Sequence, residues 1–567
     1  MVLTIVANVF QVLGPLVIQR AIDALGQPDG MQQLVRYLEI FLGVAIVLGV
    51  SRFLMRQLLN GISRRIENDL RQSFFDHLMQ LDATFFSQTR TGDLMSRAVN
   101  DIGNLRQAIG PAVMYSVNTF AFTVFSLFVM IRTDASLTLI AIIPMVLLAP
   151  LTLYFGRILH ERYERISDQL AIVTTMVQEN LSGARIVRAY VQEEAQQLEF
   201  ERLNREYFDR NMQLAQTEAV FNPLLTFLAN FGLLLVIFVG GLHVIQGRIT
   251  IGVFIMFLSY VIQLTWPMIA IGWVTNLFQR GAASLKRIQA IVTQQSAVQA
   301  PRSPITVDVV RGEIEFRNVS FRYPNSTRDV LKDVTFTIPA GHTAAIVGPT
   351  GSGKSTIVSL LTRRYDRSSG DIFLDDVDIK DVSFEQLRSS FGVVPQESFV
   401  FSETIAENIA LGSGSSEFNE DAVRRVARIA KLDEAVVDFP MGYKTRLGER
   451  GVNLSGGQRQ RTTLARALAR DPRILILDDA LSAVDTHTET DILKALRVVL
   501  NERTSLIISH RVTAVMNADI ILVLDGGRIV ERGRHDELVE KRGLYSTLLR
   551  RQLLEEGLEG ERAHSVG

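Results

Sequence analysis

Long apolar runs dominate the first half of the chain and are absent from the second half. Six of these runs are close to or above the ~20 residues that a helix needs to cross a hydrocarbon core of ~30 Å. The pattern therefore predicts a membrane domain of six transmembrane helices, at 2–21, 37–59, 111–132, 136–158, 219–246 and 250–275.

The links between these segments are of two kinds. Three are short and polar, whereas the links at 60–110 and 159–218 are long, charged and rich in arginine. An even number of spans places both chain ends and both long links on the same side of the membrane. The first span follows Met1 almost directly, which is consistent with a truncated start.

The second half has the pattern of a soluble α/β domain. Glu313–Val319 alternates like a half-buried strand, and Thr343–Val347 is a continuous apolar strand. We predict four regions: a membrane domain at 1–292, a linker at 293–309, a nucleotide-binding domain at 310–555 and a polar tail at 556–567.

Composition agrees with this two-part organisation. The chain has 567 residues, 47% of them hydrophobic, and a mean hydropathy of +0.19, so it is too long for one core and too apolar for a purely soluble protein. The absence of cysteine excludes disulfides, thiolate metal sites and cysteine catalysis. A formal net charge of -1 offers no basic field, so we expect no nucleic-acid partner.

A glycine-rich loop follows the Thr343–Val347 strand. Its backbone N–H groups are expected to wrap phosphates, Lys354 to reach the β- and γ-oxygens, and Ser355 to ligate Mg²⁺. The strand ending at Asp478 supplies a second Mg²⁺ contact. The predicted ATP contacts in the loop are Gly348, Thr350, Gly351, Ser352, Gly353, Lys354, Ser355 and Thr356.

A second phosphate-contacting motif lies between these two elements. Its serine and glycines open a helix, where exposed N–H groups and the helix dipole favour an anion. The motif consists of Leu454, Ser455, Gly456, Gly457 and Gln458. With this motif the chain resembles the ATP-binding cassette (ABC) family over nearly its whole length. Six spans followed by one cassette resemble an exporter half-transporter, with an all-α polytopic membrane domain and an α/β phosphate-loop domain.

The resemblance implies roles for four further residues. Tyr323 matches the aromatic residue that stacks on adenine, and Gln396 the glutamine that touches Mg²⁺ and the attacking water. Asp485 lies in the loop that crosses the dimer interface, and His510 matches the residue that contacts the γ-phosphate. The implied Mg²⁺ ligands are Ser355, Gln396 and Asp478.

The exporter resemblance also implies a location and a coupling route. It predicts a bacterial inner-membrane protein with a cytoplasmic cassette, surrounded by membrane lipid. Thr91–Arg97 and Ser182–Tyr190 are similar to the two loop segments that exporters use as coupling helices. Segments near 83–92 and 178–188 are therefore expected to rest on cassettes, the second on the partner's.

Asp479 departs from the family pattern, because the position after Asp478 normally carries the catalytic glutamate. Loss of one methylene retracts the carboxylate by ~1.5 Å, and a misplacement of ~1 Å can cost ~100-fold in rate. The combination with an intact Leu454–Gln458 motif resembles the degenerate-site subunit of bacterial heterodimeric multidrug exporters. It implies a second half-transporter subunit that keeps the glutamate.

The sequence leaves the roles of several polar groups within the spans open. Such residues line substrate cavities or form hydrogen bonds between helices. Arg52 and Arg56 are expected at the inner end of a span that continues into the cytoplasm. The candidate cavity residues are Asn118, Asn222, Asn230, Gln263 and Asn276.

The prediction for function is ATP-driven export of amphipathic or hydrophobic drugs, lipids or peptides by a heterodimer. One alternative is a homodimeric lipid or drug flippase with slow hydrolysis, and another is an ATP-gated channel or regulator. A soluble signature-bearing ATPase of chromosome or translation machinery is disfavoured by the six spans.

Overall fold

The protein divides into two compact units in a computed structural model that describes residues 2–324, 326–414, 419–500 and 502–565. The first unit comprises Met1–Met79 and Thr91–Gln294, and the second comprises Gln80–Arg90 and Gln295–Gly567. The short segment Gln80–Arg90 therefore belongs with the nucleotide-binding unit, although it lies between two helices of the membrane unit.

The first unit is entirely helical. Six of its helical stretches are long and apolar enough to cross a membrane within the described part of the chain. Its helices are α1 (Val2–Ala24), α2 (Gly30–Leu78) and, after α3 (Ala83–Gln88) of the other unit, α4 (Thr91–Ser96), α5 (Ile102–Gln107), α6 (Val113–Thr133), α7 (Ala135–Ser182), α8 (Ala184–Ala189), α9 (Glu193–Ile245) and α10 (Ile251–Val292).

Much of the two long charged links is helix continuous with the spans rather than loop. At 1.5 Å per residue, the 49 residues of α2 extend about 74 Å, more than twice the thickness of a hydrocarbon core. Ion pairs one turn apart support the polar extensions of α7 and α9, as between Arg165 and Glu161 at 2.5 Å and Arg210 and Glu206 at 2.5 Å. Each such exposed pair contributes little alone, about 0–1 kcal/mol.

Side-chain caps define where two spans begin. The Asp134 carboxylate accepts the N–H groups of Ser136 and Leu137, at 2.9 and 3.0 Å, and so starts α7. Thr250 caps α10 and donates its hydroxyl to Asp23, at 2.9 Å. This bond ties the end of α1 to the start of α10.

The helical stretch from Thr91 to Thr133 contains two π-helical segments, Arg97–Asp101 and Ala108–Ala112. Glycines permit close packing around the second segment: a Cβ on Gly281 of α10 would lie 2.3 Å from the Ala108 Cβ, and one on Gly110 would lie 2.8 Å from the Ser63 Cβ. These contacts hold the second π segment against both α2 and α10.

The second unit contains two sheets and the helices around them. The strands are β1 (Ile314–Phe321), β2 (Leu331–Ile338), β3 (Thr343–Val347), β4 (Ser369–Leu374), β5 (Val377–Asp378), β6 (Phe391–Val394), β7 (Ile474–Asp478), β8 (Thr504–Ile508), β9 (Ile520–Asp525) and β10 (Arg528–Gly533). Its remaining helices are α11 (Lys354–Leu361), α12 (Phe384–Ser389), α13 (Ile405–Ala410), α14 (Glu420–Ile429), α15 (Asp433–Val436), α16 (Gly456–Ala469), α17 (Thr486–Leu500), α18 (His535–Glu540) and α19 (Leu544–Ser565).

Strand order explains where the polar motifs meet. An antiparallel sheet has the order β2-β1-β4-β5, and a mostly parallel sheet has the order β10-β9-β3-β8-β7-β6. In the second sheet β3, β6, β7 and β8 are parallel, so their carboxyl ends lie together along one edge of the sheet. Ligands of such open sheets bind outside this edge.

Asp82 fixes the segment Gln80–Arg90 to the start of the linker. Its carboxylate caps α3 through the Phe85 N–H at 3.2 Å, and it accepts hydrogen bonds from Ser296 Oγ at 3.2 Å and the Val298 N–H at 3.0 Å. Burial would raise the pKa of this carboxyl, but the combined hydrogen bonds outweigh it and hold the pKa below its usual range. One side chain therefore joins α3 to the linker.

We predict that Gly281→Ala destabilises the protein, because the new methyl group would meet the rigid Ala108 side chain at 2.3 Å. Overpacking of this kind typically costs about 1–3 kcal/mol. Gly103→Ala in α5 is the matched control, since a Cβ there meets nothing within 4 Å and a helical alanine gains up to about 1 kcal/mol over glycine. The measurement is the midpoint of thermal unfolding of each purified variant. Equal midpoints would contradict the packing described here.

Candidate nucleotide site

The phosphate loop joins the buried strand β3 to α11, and three of its glycines have positive φ angles. Gly348, Gly351 and Gly353 have φ angles of 155°, 80° and 105°. A Cβ on Gly353 would also lie 2.8 Å from the Leu331 side chain. Glycine adopts these φ angles with little strain, and it has no Cβ to collide with the Leu331 side chain. The loop can therefore lie close to the start of α11, with its N–H groups available to an anion.

Lys354, the first residue of α11, is 5% exposed and turns back onto the loop. Its Nζ donates to the carbonyl oxygens of Gly348 and Pro349, both at 2.9 Å. Burial lowers the pKa of this ammonium, and the nearby charges of Asp479 and Asp478 act in the opposite direction. Neutral carbonyl oxygens thus hold the Lys354 ammonium inside the loop. A phosphate oxygen bound in the loop would contact this ammonium directly.

Ser355 and Asp478 form the most direct link between the loop and the sheet edge. The Ser355 Oγ donates to Asp478 Oδ1 at 3.0 Å. Asp478 ends β7 and is 5% exposed, and burial raises the pKa of its carboxyl. The Ser355 hydrogen bond opposes this shift, and the neighbouring Asp479 adds to it.

Gln396 lies just beyond β6 on the same edge. It lines a cavity of about 650 Å³ together with Ser355 and Asp478. Two arginines that the sequence reasoning missed, Arg364 and Arg388, also line this cavity and add positive charge beside the loop. They lie outside any recognised motif, so only the packing of their elements reveals them.

The oxygen donors of this edge fit Mg²⁺. A hydroxyl, a carboxylate and an amide oxygen are hard ligands, which Mg²⁺ combines with water and substrate phosphates rather than with a full protein cage. Among the described residues there is accordingly no cluster of three or more His, Cys, Asp or Glu side chains able to hold a metal alone.

Tyr323 is anchored beside the loop. Its hydroxyl and the Thr356 Oγ1 are 3.1 Å apart, and its ring packs edge-on against Phe321 and Tyr365, with centroids at 4.8 and 5.2 Å. Tyr365, which the sequence reasoning did not single out, thus completes an aromatic cluster next to α11.

Asp479 follows Asp478 with a left-handed backbone, at φ 50°. Its N–H donates to the Ile508 carbonyl at 2.9 Å, so the parallel pairing of β7 with β8 continues one residue past β7. His510 lies two residues beyond β8 and is exposed. The strand pairing therefore gathers Asp478, Asp479 and His510 at one end of the sheet.

The Leu454–Gln458 motif forms the start of α16. Ser455 is the N-cap: its Oγ accepts the Gln458 N–H at 3.2 Å, while Gln458 Oε1 accepts the Ser455 N–H at 2.9 Å. A Cβ on Gly456 would lie 3.3 Å from the Ala483 Cβ, and one on Gly457 would lie 3.0 Å from the Ala483 carbonyl oxygen. The two glycines let α16 approach the segment Ser482–Asp485 closely.

Gln460, a residue that the sequence reasoning missed, connects this motif to the segment after β7. It is 5% exposed; its Nε2 donates to Ser482 Oγ at 3.0 Å, and its Oε1 accepts the Ala483 N–H at 2.9 Å. Asp485 is exposed and accepts the Thr488 N–H at 2.9 Å, and this bond lowers the pKa of its carboxyl.

The predicted residues therefore form two groups. The first surrounds the phosphate loop and contains Asp478, Gln396 and Tyr323. The second contains the start of α16 and Asp485. In the described part of the chain no side-chain hydrogen bond joins Leu454–Gln458 to the phosphate loop. The start of α16 is thus a separate surface of the domain, called here the α16 surface.

Comparisons with known proteins agree with this arrangement. Residues 1–268 match the family described as ABC transporter transmembrane region, and residues 331–482 match ABC transporter. The chain is 37% identical over 563 residues to the probable multidrug resistance ABC transporter ATP-binding/permease protein YheI of Bacillus subtilis (strain 168), covering 99% of this chain and 95% of that relative.

Two further relatives extend the comparison. The ATP-dependent lipid A-core flippase of Syntrophus aciditrophicus (strain SB) is 37% identical over 525 residues, covering 90% of this chain and 85% of that protein. A solved structure of a bacterial Atm1-family ABC exporter with ATP bound has a TM-score of 0.79 at 27% identity, with 97% of each chain covered. The chain therefore belongs to the ABC transporters as an exporter half-transporter, a multi-pass inner-membrane protein whose cytoplasmic domain is an ATPase coupled to transport.

Proposed function

We propose that this chain is one half of a heterodimeric exporter of amphipathic or hydrophobic substrates. In this proposal its phosphate loop belongs to the weaker of two nucleotide sites, and its Leu454–Gln458 motif completes the stronger site on the partner subunit. The observation that carries the proposal is Asp479 at the position of the catalytic base, beside an intact second motif.

The geometry around Asp479 supports a general base whose carboxylate is poorly positioned. The residue is bound through its N–H to Ile508 and has a left-handed φ of 50°, a conformation that aspartate adopts more readily than longer side chains. The hydrogen bond to β8 restrains the backbone at this point, which opposes a shift that would recover the ~1.5 Å lost with one methylene. A base held short of its water forfeits much of the ~10²–10⁴ that general-base catalysis supplies.

The remaining residues of the first group are proposed to bind the nucleotide. Lys354 and the loop N–H groups hold the phosphates, Ser355, Asp478 and Gln396 hold Mg²⁺, Tyr323 stacks on adenine, and His510 contacts the γ-phosphate. When bound, Mg²⁺ would neutralise phosphate charge during transfer. A site that binds ATP but hydrolyses it slowly could keep the two nucleotide-binding domains of the proposed heterodimer associated.

The second group is proposed to serve the partner subunit. Ser455 and the N–H groups of Gly456 and Gly457 lie at the start of α16, a 14-residue helix whose dipole favours an anion. Gln460 fixes this surface to Ser482–Asp485, so a change at the partner's phosphate would be transmitted to the residues that follow Asp479. Disruption of this surface should therefore affect the stronger site.

The relatives support the proposed substrate class. One is named as a probable multidrug resistance ABC transporter and another as an ATP-dependent lipid A-core flippase, and we extend drugs and lipids from these names to this chain. The flippase relative also favours a second candidate, a homodimeric lipid flippase in which Asp479 serves two equal, slow sites.

We predict that Asp479→Asn lowers ATP turnover of the complex only modestly, whereas Ser455→Arg lowers it by about 10²–10³, the usual effect of losing a transition-state donor. The measurement is steady-state ATPase and transport by the purified complex carrying each change. Nucleotide binding at this chain's own loop is the control, because it should survive Ser455→Arg if the domain is folded. Equal loss of turnover in both variants would favour the homodimer.

We also predict that Lys354→Ala weakens ATP binding at this chain's own site by about 10–100-fold, because a buried charge-assisted contact to the phosphates is lost. Photolabelling of this subunit with an ATP analogue across a concentration series measures the effect. Lys332→Ala is the matched control, since Lys332 is an exposed lysine of the same domain. Undiminished labelling of the Lys354 variant would remove Lys354 from the site.

A further inference from the structure

Three polar side chains meet among the membrane-spanning helices. Arg52 of α2 donates to Gln11 Oε1 of α1 at 2.6 Å, and Gln11 Nε2 donates to Gln263 Oε1 of α10 at 3.2 Å. Both links join residues from different helices, so the group, called here the Arg52 triad, lies where α1, α2 and α10 approach one another.

The triad lies at the depth of the hydrocarbon core. Gln11 is 13 residues, or about 20 Å, from the end of α1 at Ala24, and about 14 Å from its start at Val2. Gln263 is about 18 Å from the start of α10 at Ile251. An arginine near the inner end of a span normally extends toward water. The Arg52 guanidinium instead extends toward the two glutamines.

The charge of Arg52 has no carboxylate partner among the described residues, and Arg56, one turn further along α2, adds a second positive charge. Two other arginines of this unit do have carboxylate partners: Arg287 pairs with the buried Asp101, and Arg106 lies 3.3 Å from the Glu67 carboxylate. An uncompensated cation within a span is costly and usually has a functional role. No acidic side chain among the described residues neutralises this cation, so an anion from outside the chain could pair with it.

We propose that the Arg52 triad binds the acidic head group of an amphipathic substrate. The guanidinium presents several N–H donors to a phosphate or carboxylate, and the Gln11 and Gln263 amides are polar groups that can reorient toward it. Trp266, one helical turn from Gln263, is 57% exposed in this chain and offers apolar surface for the attached tail. This inference rests on the proposed export function and narrows its substrates to anionic amphiphiles.

The test compares binding of matched single-chain amphiphiles to the purified complex in phosphatidylcholine nanodiscs without ATP. Radiolabelled dodecyl phosphate should bind more tightly than dodecyl maltoside. Arg52→Gln should lower the affinity for dodecyl phosphate about 10–100-fold and leave the affinity for dodecyl maltoside unchanged. Arg52→Lys should retain most of the preference. Empty nanodiscs give the background from partition into lipid.

Controls separate a binding site from a structural bridge. Arg56→Gln makes the same charge change on the same helix but leaves the link to Gln11, so it should have a smaller effect. Arg52→Gln shortens the side chain and removes the guanidinium bond to Gln11, so its thermal midpoint checks that the variant is folded, and Arg52→Lys tests the charge in a second folded variant. If Arg52→Gln binds both amphiphiles as the unmodified complex does, the triad is an interhelical bridge and the proposal is wrong.

Two further outcomes separate a failure of the triad proposal from a failure of the proposed export function. Inorganic phosphate that competes as well as dodecyl phosphate would overturn the requirement for a tail. Selective binding of dodecyl phosphate without its ATP-driven transport would support the triad and count against the proposed export function, because binding is measured without nucleotide.

Discussion

The hydrogen bond from the Asp479 N–H to the Ile508 carbonyl is the constraint on which the proposed difference between the two nucleotide sites depends. It extends the pairing of two buried strands by one residue and positions the Asp479 backbone against β8. From that position, the length of the side chain sets how far its carboxylate reaches. Aspartate is the shorter acid, and it also tolerates the left-handed conformation found there.

The segment that follows Asp479 is connected to the α16 surface. Gln460 on α16 bonds to Ser482 and to Ala483, which follow Asp479 within four residues. The α16 surface and the segment that contains Asp479 are therefore parts of one packed structure. In the proposed heterodimer, this packing would link the motif offered to the partner's site with the base of this chain's own site.

The hydrophobic pattern of the sequence predicted the elements whose length or composition a single physical constraint sets. Six apolar runs gave six spanning helices, because the hydrocarbon core sets their length. The strand at Thr343–Val347 has the predicted bounds, since a continuous apolar run before a glycine-rich loop permits little else. The long links were harder: charged residues with helical spacing suit both a solvated connector and the helix extension found here.

Contacts between distant residues could not be predicted from the sequence. Gln460 and Tyr365 belong to no motif, and their roles come from packing against Ala483 and Tyr323. Arg52 was expected at the inner end of its span, and α2 does continue to Leu78, but the direction of the guanidinium depends on Gln11, 41 residues away. The two π-helical segments likewise depend on packing against α2 and α10.

The central claim is that the two nucleotide sites of the complex differ, with slow hydrolysis at this chain's phosphate loop. The most direct measurement is the state of the nucleotide held by each subunit during turnover, from photolabelling with an azido-ATP carrying label at either the α- or the γ-phosphate. We expect this chain to retain both labels while the partner subunit retains only the α label. Equal loss of the γ label from both subunits would show two equivalent sites and contradict the claim.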